Sequence, residues 1–406
     1  MMSMASETAW SRLPIDLQEQ FYEKAEDEAR RLIGVIDGFR LIMESVKHRI
    51  APYVRTLSFG QSGETSIAAV DGSFSPRPAE TIGAKFSVYA AGFIMVKGKN
   101  IVDEGYLPGN IGESQAYSRE LFSIILSVKE TLLERVAALK ALERNPDLLL
   151  LDGSFLSFAY PLFRIARIAK SLPVPREIRE EIFKTTGEIL KITSVLMDSG
   201  RCAGIIKRGR SRAIGGWLSV KDSVKSPLVN HLDKQILHNL MNPPAILDYK
   251  ELLGKAELQR VYSRVSELLI REKYRDPKDA FEEAVEWAVE RLAKVLGVPE
   301  DYAEKLQSRL NRLQVKVSEE NPPFELEVPL GSENYVMNML FSSIENFNMA
   351  TGLPLAIDLI DENITLPVEF TREFVREVEA RIVNSYAGDL NEIKEFFANM
   401  NPQKEL

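Results

Sequence analysis

The sequence predicts an α/β protein that is built on a mixed sheet with helices on its faces. Strand-like apolar runs alternate with long amphipathic helices, which is the pattern of a sheet covered by helices. A helix predicted over 113–144 lies between two strand-like runs, so the strands can pair in parallel through a right-handed crossover. With 45% apolar and 27% charged residues, the chain has the composition of a folded protein and not of a disordered one.

The N-terminal part of the chain is predicted to form one long helix and then three strands. Apolar residues at helical spacing between Pro14 and Pro52 predict a helix over 15–50. We interpret it as a helix that covers part of a core, or else as an arm for dimerisation or for a partner. The strands that follow are predicted at 65–70, 85–96 and 101–106.

The remaining elements complete a core around a large helical block. They are predicted as strands at 148–151, 202–206, 313–317 and 324–328, helices at 176–200, about 333–349 and 369–398, and a nearly all-helical stretch from about 225 to 311. We therefore expect an N-terminal helical arm (1–58), a first part of the core (59–220), a helical insertion (221–311) and a completion of the core (312–406).

Composition excludes several classes of protein. The single cysteine, Cys202, excludes an internal disulfide and a cysteine-rich zinc module, and the three histidines lack HExxH spacing. The sequence contains neither GxxxxGK[ST] nor GxGxxG, so any ATP-driven step would need a partner. The N-terminus has no signal-peptide pattern and no window is apolar over 18 residues, so we expect a cytoplasmic protein in which Cys202 is a packed thiol.

Two copies of one local pattern indicate an acidic site. Asp71 and Asp152 each follow an apolar strand and each begin the sequence Asp-Gly-Ser-Phe. A carboxylate at the end of a buried strand lies at the rim of a sheet, where open α/β sheets place their sites. Either copy alone is also typical of an Asx-turn or a helix cap. Carboxylates that converge there are ligands for Mg²⁺ or Mn²⁺, and two such ions can clamp a phosphodiester.

Helix geometry selects a third acid. Asp152 lies about 16 Å along its strand, and the preceding helix runs back at about 1.5 Å per residue. A helix residue level with Asp152 is therefore about ten residues before the helix end, which is Glu134. Glu134 lies on a face of small alanines that allows close packing. Glu130, one turn earlier on the same face, is the alternative ligand, and a solvated Glu134 is the other interpretation.

A basic stretch qualifies the net charge of −8, which by itself argues against a nucleic-acid partner. Positions 201–225 hold seven basic residues and one acidic residue, a local balance of +6. Lys207 and Arg208 follow a short strand and are predicted to hold a scissile phosphate near the acids. Arg210 and Arg212 suit contacts with backbone phosphates that do not depend on base sequence. The alternative is a solvated loop.

The order and spacing of these motifs resemble the NurA family of archaeal and bacterial DNA end-processing nucleases. The resemblance rests on 69–73, on 151–154 behind a long helix, on 204–208 and on 352–354, and it covers about 60–365. It implies an RNase H-like mixed sheet flanked by helices, and metal ligation by Asp71, Glu134 and Asp152.

The sequence departs from the family pattern near its end. Family members often carry a Tyr-Pro pair and a histidine eight residues after the tyrosine. Here Leu353 stands where the tyrosine would be, and Asp361 stands where the histidine would be. Asp361 can replace a histidine as an oxygen ligand to Mn²⁺ or Mg²⁺, whereas Leu353 supplies no hydroxyl.

The resemblance implies a function in DNA end resection and double-strand break repair. The expected activity is phosphodiester hydrolysis by a homodimeric deoxyribonuclease with two Mn²⁺ or Mg²⁺ ions per site, as an exonuclease, a single-strand endonuclease or both. The expected partners are DNA and a hexameric HerA-type ATPase. The rival hypothesis is a weakly catalytic or non-catalytic adaptor that binds DNA or the ATPase on the same scaffold. A different phosphoryl-transfer enzyme, such as an RNA nuclease, is a third.

Overall fold

The structure is a computed structural model and describes residues 13–61, 64–114, 117–169, 174–386, 388–398 and 400. The chain separates into two compact units with the division after Pro52. In the first unit, the predicted long helix is confirmed as α1 (Ile15–Ile50). Several of its large apolar side chains are exposed, among them Ile33 and Ile36.

The second unit alternates strands and helices. Its strands are β1 (Val54–Thr56), β2 (Ser66–Phe74), β3 (Ala79–Glu80), β4 (Ala84–Lys97), β5 (Asn100–Ser114), β6 (Leu148–Asp152), β7 (Cys202–Ile206), β8 (Ala245–Asp248), β9 (Leu310–Lys316), β10 (Phe324–Pro329), β11 (Phe347–Asn348) and β12 (Leu353–Pro354). Its helices are α2 (Arg119–Glu143), α3 (Ala159–Ile168), α4 (Arg176–Asp198), α5 (Ala213–Asp222), α6 (Asp233–His238), α7 (Tyr249–Leu253), α8 (Leu258–Ile270), α9 (Pro277–Leu296), α10 (Glu300–Ser308), α11 (Glu333–Leu340), α12 (Leu355–Ile364), α13 (Phe370–Ser385) and α14 (Leu390–Phe397).

One large mixed sheet organises this unit. Its strand order is β1-β8-β9-β10-β7-β6-β2-β4-β3, with β5 paired to β4. Strands β2, β6 and β7 are parallel, and the other neighbours are antiparallel. The segment β5-β4-β2-β6-β7 is an antiparallel meander followed by two parallel strands, which is the RNase H-like arrangement. The predicted fold class is therefore confirmed.

Helices cover both faces of the central strands. The four leucines of β6 are fully buried, and they alternate between two hydrophobic clusters. Leu149 and Leu151 pack on the side of α2, α3 and α4, whereas Leu148 and Leu150 pack on the side of α11 and α12. This burial on both faces explains why β6 reads as a continuous apolar run instead of an alternating one.

Two predicted boundaries near the acids are wrong. The strand predicted at 65–70 continues to Phe74, because β4 pairs with β2 as far as Phe74↔Tyr89. Asp71 therefore lies within a strand and not at its end. The helix predicted from 113 begins at Arg119, because β5 pairs with β4 as far as Ser114. Ser118 then caps α2 by accepting a hydrogen bond from the backbone N–H of Leu121 (3.1 Å).

Other corrections concern the predicted helical blocks. The stretch 225–311 contains a strand, β8, which pairs with β1 and β9, so the expected insertion 221–311 also contributes to the sheet. A four-residue strand is too short to give a periodic signal. The helix predicted over 333–349 ends at Leu340, and a hairpin of β11 and β12 and the helix α12 follow it. The helix predicted over 369–398 is two helices, α13 and α14. The division of the chain into domains stays a prediction.

The thiol of Cys202 is buried, and burial raises its pKa to about 11, which agrees with a packed, unreactive thiol. Among the described residues, no helix is long and apolar enough to span a membrane.

Candidate active site

The parallel pairing of β2 and β6 brings the two predicted aspartates together. The strands are in register from Ile67↔Leu148 to Val70↔Leu151, so Asp71 and Asp152 come next on neighbouring strands at the same edge. One carboxylate oxygen each of Asp71, Asp152 and Asp361 lies within 4.8 Å of the other two. Three of the four acids predicted from the sequence therefore form one cluster.

Helix α12 supplies the third member of this cluster. Ile357, Ile360 and Ile364 are buried at helical spacing, and α12 packs against β2 and β4. Asp361 follows Ile360 and lies at the margin of this buried face, with 53% of its side chain exposed. Leu353 lies in β12 and packs against the same core, so the side chain at this position is aliphatic.

Lys207 bridges the cluster in this structure. It follows β7, which pairs in parallel with β6 through Asp152↔Ile205. Its Nζ lies 2.7 Å from Oδ2 of Asp152 and 2.8 Å from Oδ2 of Asp361. Burial lowers the pKa of Lys207, but the two carboxylates outweigh burial and hold the pKa above its ordinary value. Lys207 is therefore a cation placed between two of the predicted ligands.

The carboxylates of the cluster are held in unfavourable surroundings. Burial is the main cause that raises the pKa of Asp71 to about 8, and the charges of Asp152 and Glu134 raise it further. Burial also raises the pKa of Asp152, against the opposing effect of Lys207. Carboxylates that resist ionisation together are stabilised as anions by a cation. Oxygen donors of this kind fit a hard divalent cation such as Mn²⁺ or Mg²⁺.

Glu134 lies near the cluster but has a different immediate partner. It is buried on α2 and forms an ion pair with Arg135, which is also buried. Among the described residues, Glu134 does not belong to the group of oxygens within 4.8 Å. Its charge nevertheless raises the pKa of Asp71 and that of Glu130, and the charge of Asp152 raises the pKa of Glu134 itself.

Glu130, the alternative ligand, lies against the backbone of Gly72. A Cβ atom at Gly72 would lie far inside van der Waals contact with the Glu130 carboxylate. Burial and the charge of Glu134 raise the pKa of Glu130 to about 8. The charge of Glu134 is among the main causes that raise the pKa of Asp71, and that of Glu130 is not, so Glu134 is the acid of this helix that couples to the cluster.

The sequence interpretation missed a buried ionic network behind the Asp152 loop. Glu327 on β10 accepts hydrogen bonds from the Ser154 hydroxyl (2.7 Å) and from the backbone N–H of Phe155 (2.8 Å). Arg312 and Arg260 donate to the other oxygen of Glu327 at 3.0 and 3.1 Å. Burial raises the pKa of Glu327, but the two arginines outweigh burial and lower it overall. The network holds the loop that carries Asp152.

A signal for this network was present in the sequence. In β10, Glu325 and Glu327 alternate with apolar residues, and this alternation is typical of a strand with one solvent-exposed face. Both glutamates are in fact buried, because Arg312 lies directly opposite Glu327 on β9 and pairs with both of them. Complementary charges at alternating positions of two strands were the available signal.

The four predicted DNA-binding cations are not equivalent. Arg208 and Arg210 are exposed in the loop after β7, and the positive charge of Arg208 acts on Asp152. Arg212 is half-buried at the start of α5, and its Nε atom is buried without a hydrogen-bond partner among the described residues. The structure therefore brings Lys207 and Arg208 to the acids and leaves Arg212 largely enclosed.

The fold and the site together define an RNase H-like α/β protein with a carboxylate cluster at the edge of its parallel strands. A family model described as the NurA domain matches residues 65–365, which is most of the chain. The protein therefore belongs to the NurA family.

A solved structure shares this fold. The NurA nuclease from Sulfolobus solfataricus is 12% identical with a TM-score of 0.56, and the match covers 91% of this chain and 98% of that one. A structure of NurA bound to dAMP and manganese is 13% identical with a TM-score of 0.44, and the match covers 90% and 98% of the two chains. A comparison with curated proteins found no match.

Gly204 on β7 lies close to the backbone of the loop that carries Asp152. A Cβ atom at Gly204 would lie far inside contact with the carbonyl oxygen of Gly153, and Gly153 has a φ of +120° that favours glycine. We predict that Gly204→Ala lowers the free energy of unfolding by about 1–3 kcal/mol, because a backbone atom must move. Denaturant unfolding measures this change.

Gly187→Ala is the matched control. No atom lies within 4 Å of a Cβ atom at Gly187 in α4, so this alanine is expected to be neutral or stabilising by about 0.4–1 kcal/mol. If the two variants unfold at the same denaturant concentration, the inference that β7 packs closely against the Asp152 loop is wrong.

Proposed function

We propose that this protein is a metal-dependent deoxyribonuclease that hydrolyses phosphodiester bonds at the cluster of Asp71, Asp152 and Asp361, with Glu134 as a further ligand. The observation that carries the proposal is the convergence of three carboxylates within 4.8 Å of one another at the edge of the parallel strands. Membership of the NurA family and the presence of manganese in a structure of NurA support the same conclusion.

The acidic residues would hold Mn²⁺ or Mg²⁺, and we propose two ions per site. A bound divalent cation supplies Lewis acidity toward a phosphoryl oxygen and lowers the pKa of water. Lys207 would stabilise negative charge that develops on the phosphate, because its ammonium group already lies among the acids. Arg208 and Arg210 are exposed in the loop after β7 and would attract the nucleic-acid backbone. Arg212 would add to this attraction through its positive charge.

We also propose a setting for this activity. The protein would resect DNA ends, by exonuclease or single-strand endonuclease cleavage, during double-strand break repair in the cytoplasm. It would act as a homodimer with a hexameric HerA-type ATPase. The support for this setting is the family to which the chain belongs.

An adaptor with little catalysis is the second candidate, and Leu353 is the observation that favours it. An aliphatic residue packed into the core cannot donate or accept a hydrogen bond at the site. An adaptor would bind DNA or the ATPase without metal and would not turn over DNA. Cleavage of DNA would therefore distinguish a nuclease from an adaptor.

Neutralising one acid is expected to remove activity and to stabilise the fold. With Mn²⁺, the unsubstituted protein should degrade labelled DNA, and Asp71→Asn or Asp152→Asn should reduce the rate at least about 100-fold.

Because the pKa of Asp71 is raised to about 8, its contribution to stability is present in acid and is lost as the pH rises toward 8. Asp71→Asn should therefore raise the metal-free Tm at pH 8 by roughly 2–5 °C.

Asp279→Asn, on the exposed surface of α9, is the control that should leave activity unchanged and should not raise the Tm, because Asp279 lies in the first turn of its helix. Intact cleavage in both site variants would overturn the assignment of the site. Chelator-resistant DNA binding without any cleavage by the unsubstituted protein would favour the adaptor.

Metal binding is expected to release a proton. At pH 7 a carboxyl group with a pKa of about 8 is mostly protonated, and a metal ligand must give up its proton. The apparent affinity for Mn²⁺ should therefore rise by up to about tenfold per pH unit between pH 6 and 8. Calorimetry in PIPES and in Tris at pH 7 should give binding enthalpies that differ through buffer protonation, and Asp71→Asn should reduce that difference. Equal enthalpies in the two buffers would contradict a protonated ligand.

A further inference from the structure

A cavity of about 300 Å³ opens beside the loop that carries Asp152. Ser154 lines it, and Ser154 follows Asp152 by two residues, so their Cα atoms are at most about 7 Å apart. Helices α3, α8, α9 and α10 and strand β9 supply most of the other walls. The cavity therefore lies next to Asp152 and so to the acid cluster.

The charged side chains among the described lining residues of this cavity are all arginines. Three arginines line it, Arg260, Arg291 and Arg312, and no carboxylate is among its described lining residues. Arg260 and Arg312 are paired with buried glutamates. In the part of the chain that the structure describes, Arg291 forms neither an ion pair nor a side-chain hydrogen bond, so its donors are available. Burial and the charge of Arg264 lower the pKa of Arg291.

Aromatic rings line the same cavity. The guanidinium carbon of Arg291 lies 4.2 Å from the ring centre of Phe163 and 4.7 Å from that of Trp287. Arg264 lies 4.5 Å from the ring centre of Trp287 as well. Tyr160 is 69% exposed at the rim. The exposed ring of Tyr160 and the guanidinium donors of Arg291 are groups that hold unpaired nucleobases by stacking and by hydrogen bonding.

We propose that this cavity, the arginine–aromatic pocket, binds one unpaired nucleobase of the strand whose phosphodiester is held at the acid cluster. This inference rests on the proposed nuclease function and identifies the substrate as a strand with an unstacked base. The apolar floor, which includes Leu156, Ala288 and Leu292, favours a base over a bare phosphate. The pocket also explains how a chain of net charge −8 can hold a strand close to its acids.

The test measures how much a single base adds to binding. Ten-nucleotide abasic DNA strands, with either no base or one adenine at position five, are titrated by fluorescence anisotropy. The Asp71→Asn protein is used so that the strands stay intact. One adenine should tighten binding roughly 5- to 150-fold, the equivalent of stacking one base. Because the strand has only one base, this gain does not depend on the register in which the strand binds.

Two substitutions should remove the gain. Arg291→Ala and Tyr160→Ala, each added to Asp71→Asn, should bring the adenine-dependent factor down to less than about twofold. Tyr160 is exposed, so its loss leaves the core intact, and circular dichroism checks the fold of both proteins. Arg176→Ala and Tyr302→Ala, at exposed positions on α4 and α10, are matched controls that should keep the full factor.

The possible failures are distinguishable. No gain from adenine, or a gain that both pocket variants retain, would overturn the pocket even if the protein cleaves DNA. Cleavage of labelled DNA by the unsubstituted protein with Mn²⁺ is measured in parallel. Its absence would overturn the proposed nuclease activity, whereas an adenine gain that depends on Arg291 and Tyr160 would still establish the base-binding pocket.

Discussion

The parallel pairing of β2 and β6 is the constraint on which the rest of the site depends. Because Val70 pairs with Leu151, the next residues, Asp71 and Asp152, emerge side by side at one edge. A slip of one residue would turn one of the two side chains to the opposite face of the sheet. The ladder runs from Ile67↔Leu148 to Val70↔Leu151, and these residues of both strands are buried. A buried apolar ladder thus ends where the charges meet.

Neighbouring charged groups offset the unfavourable free energy of placing these carboxylates close together. Burial and mutual repulsion raise the pKa of Asp71 and Asp152, so the cluster is unfavourable as a set of anions. Lys207 pairs with two of its members. Behind the loop, Glu327 is fixed by two arginines and holds Ser154. An acid cluster that is held in place before a cation binds is the arrangement that electrostatic catalysis requires.

Local patterns predicted the parts of the site that depend on local structure. The repeated Asp-Gly-Ser-Phe sequences located Asp71 and Asp152, and helix rise located Glu134 on the buried side of α2. Asp361 was found only through resemblance, since α12 was not predicted. The Glu327 network and the arginine–aromatic pocket were missed, because they join strands and helices that are far apart in the chain. Such contacts leave little trace in periodicity.

The most direct test of the account is the position of manganese in a crystal of this protein. Anomalous diffraction at the manganese edge locates the ion without assumptions about its ligands. The account predicts an anomalous peak bound by Asp71 and Asp152, with Asp361 or Glu134 beside it and with Lys207 no longer bridging the carboxylates. A crystal soaked in Mn²⁺ that shows no peak at these acids, and in which Lys207 still bridges Asp152 and Asp361, would contradict it.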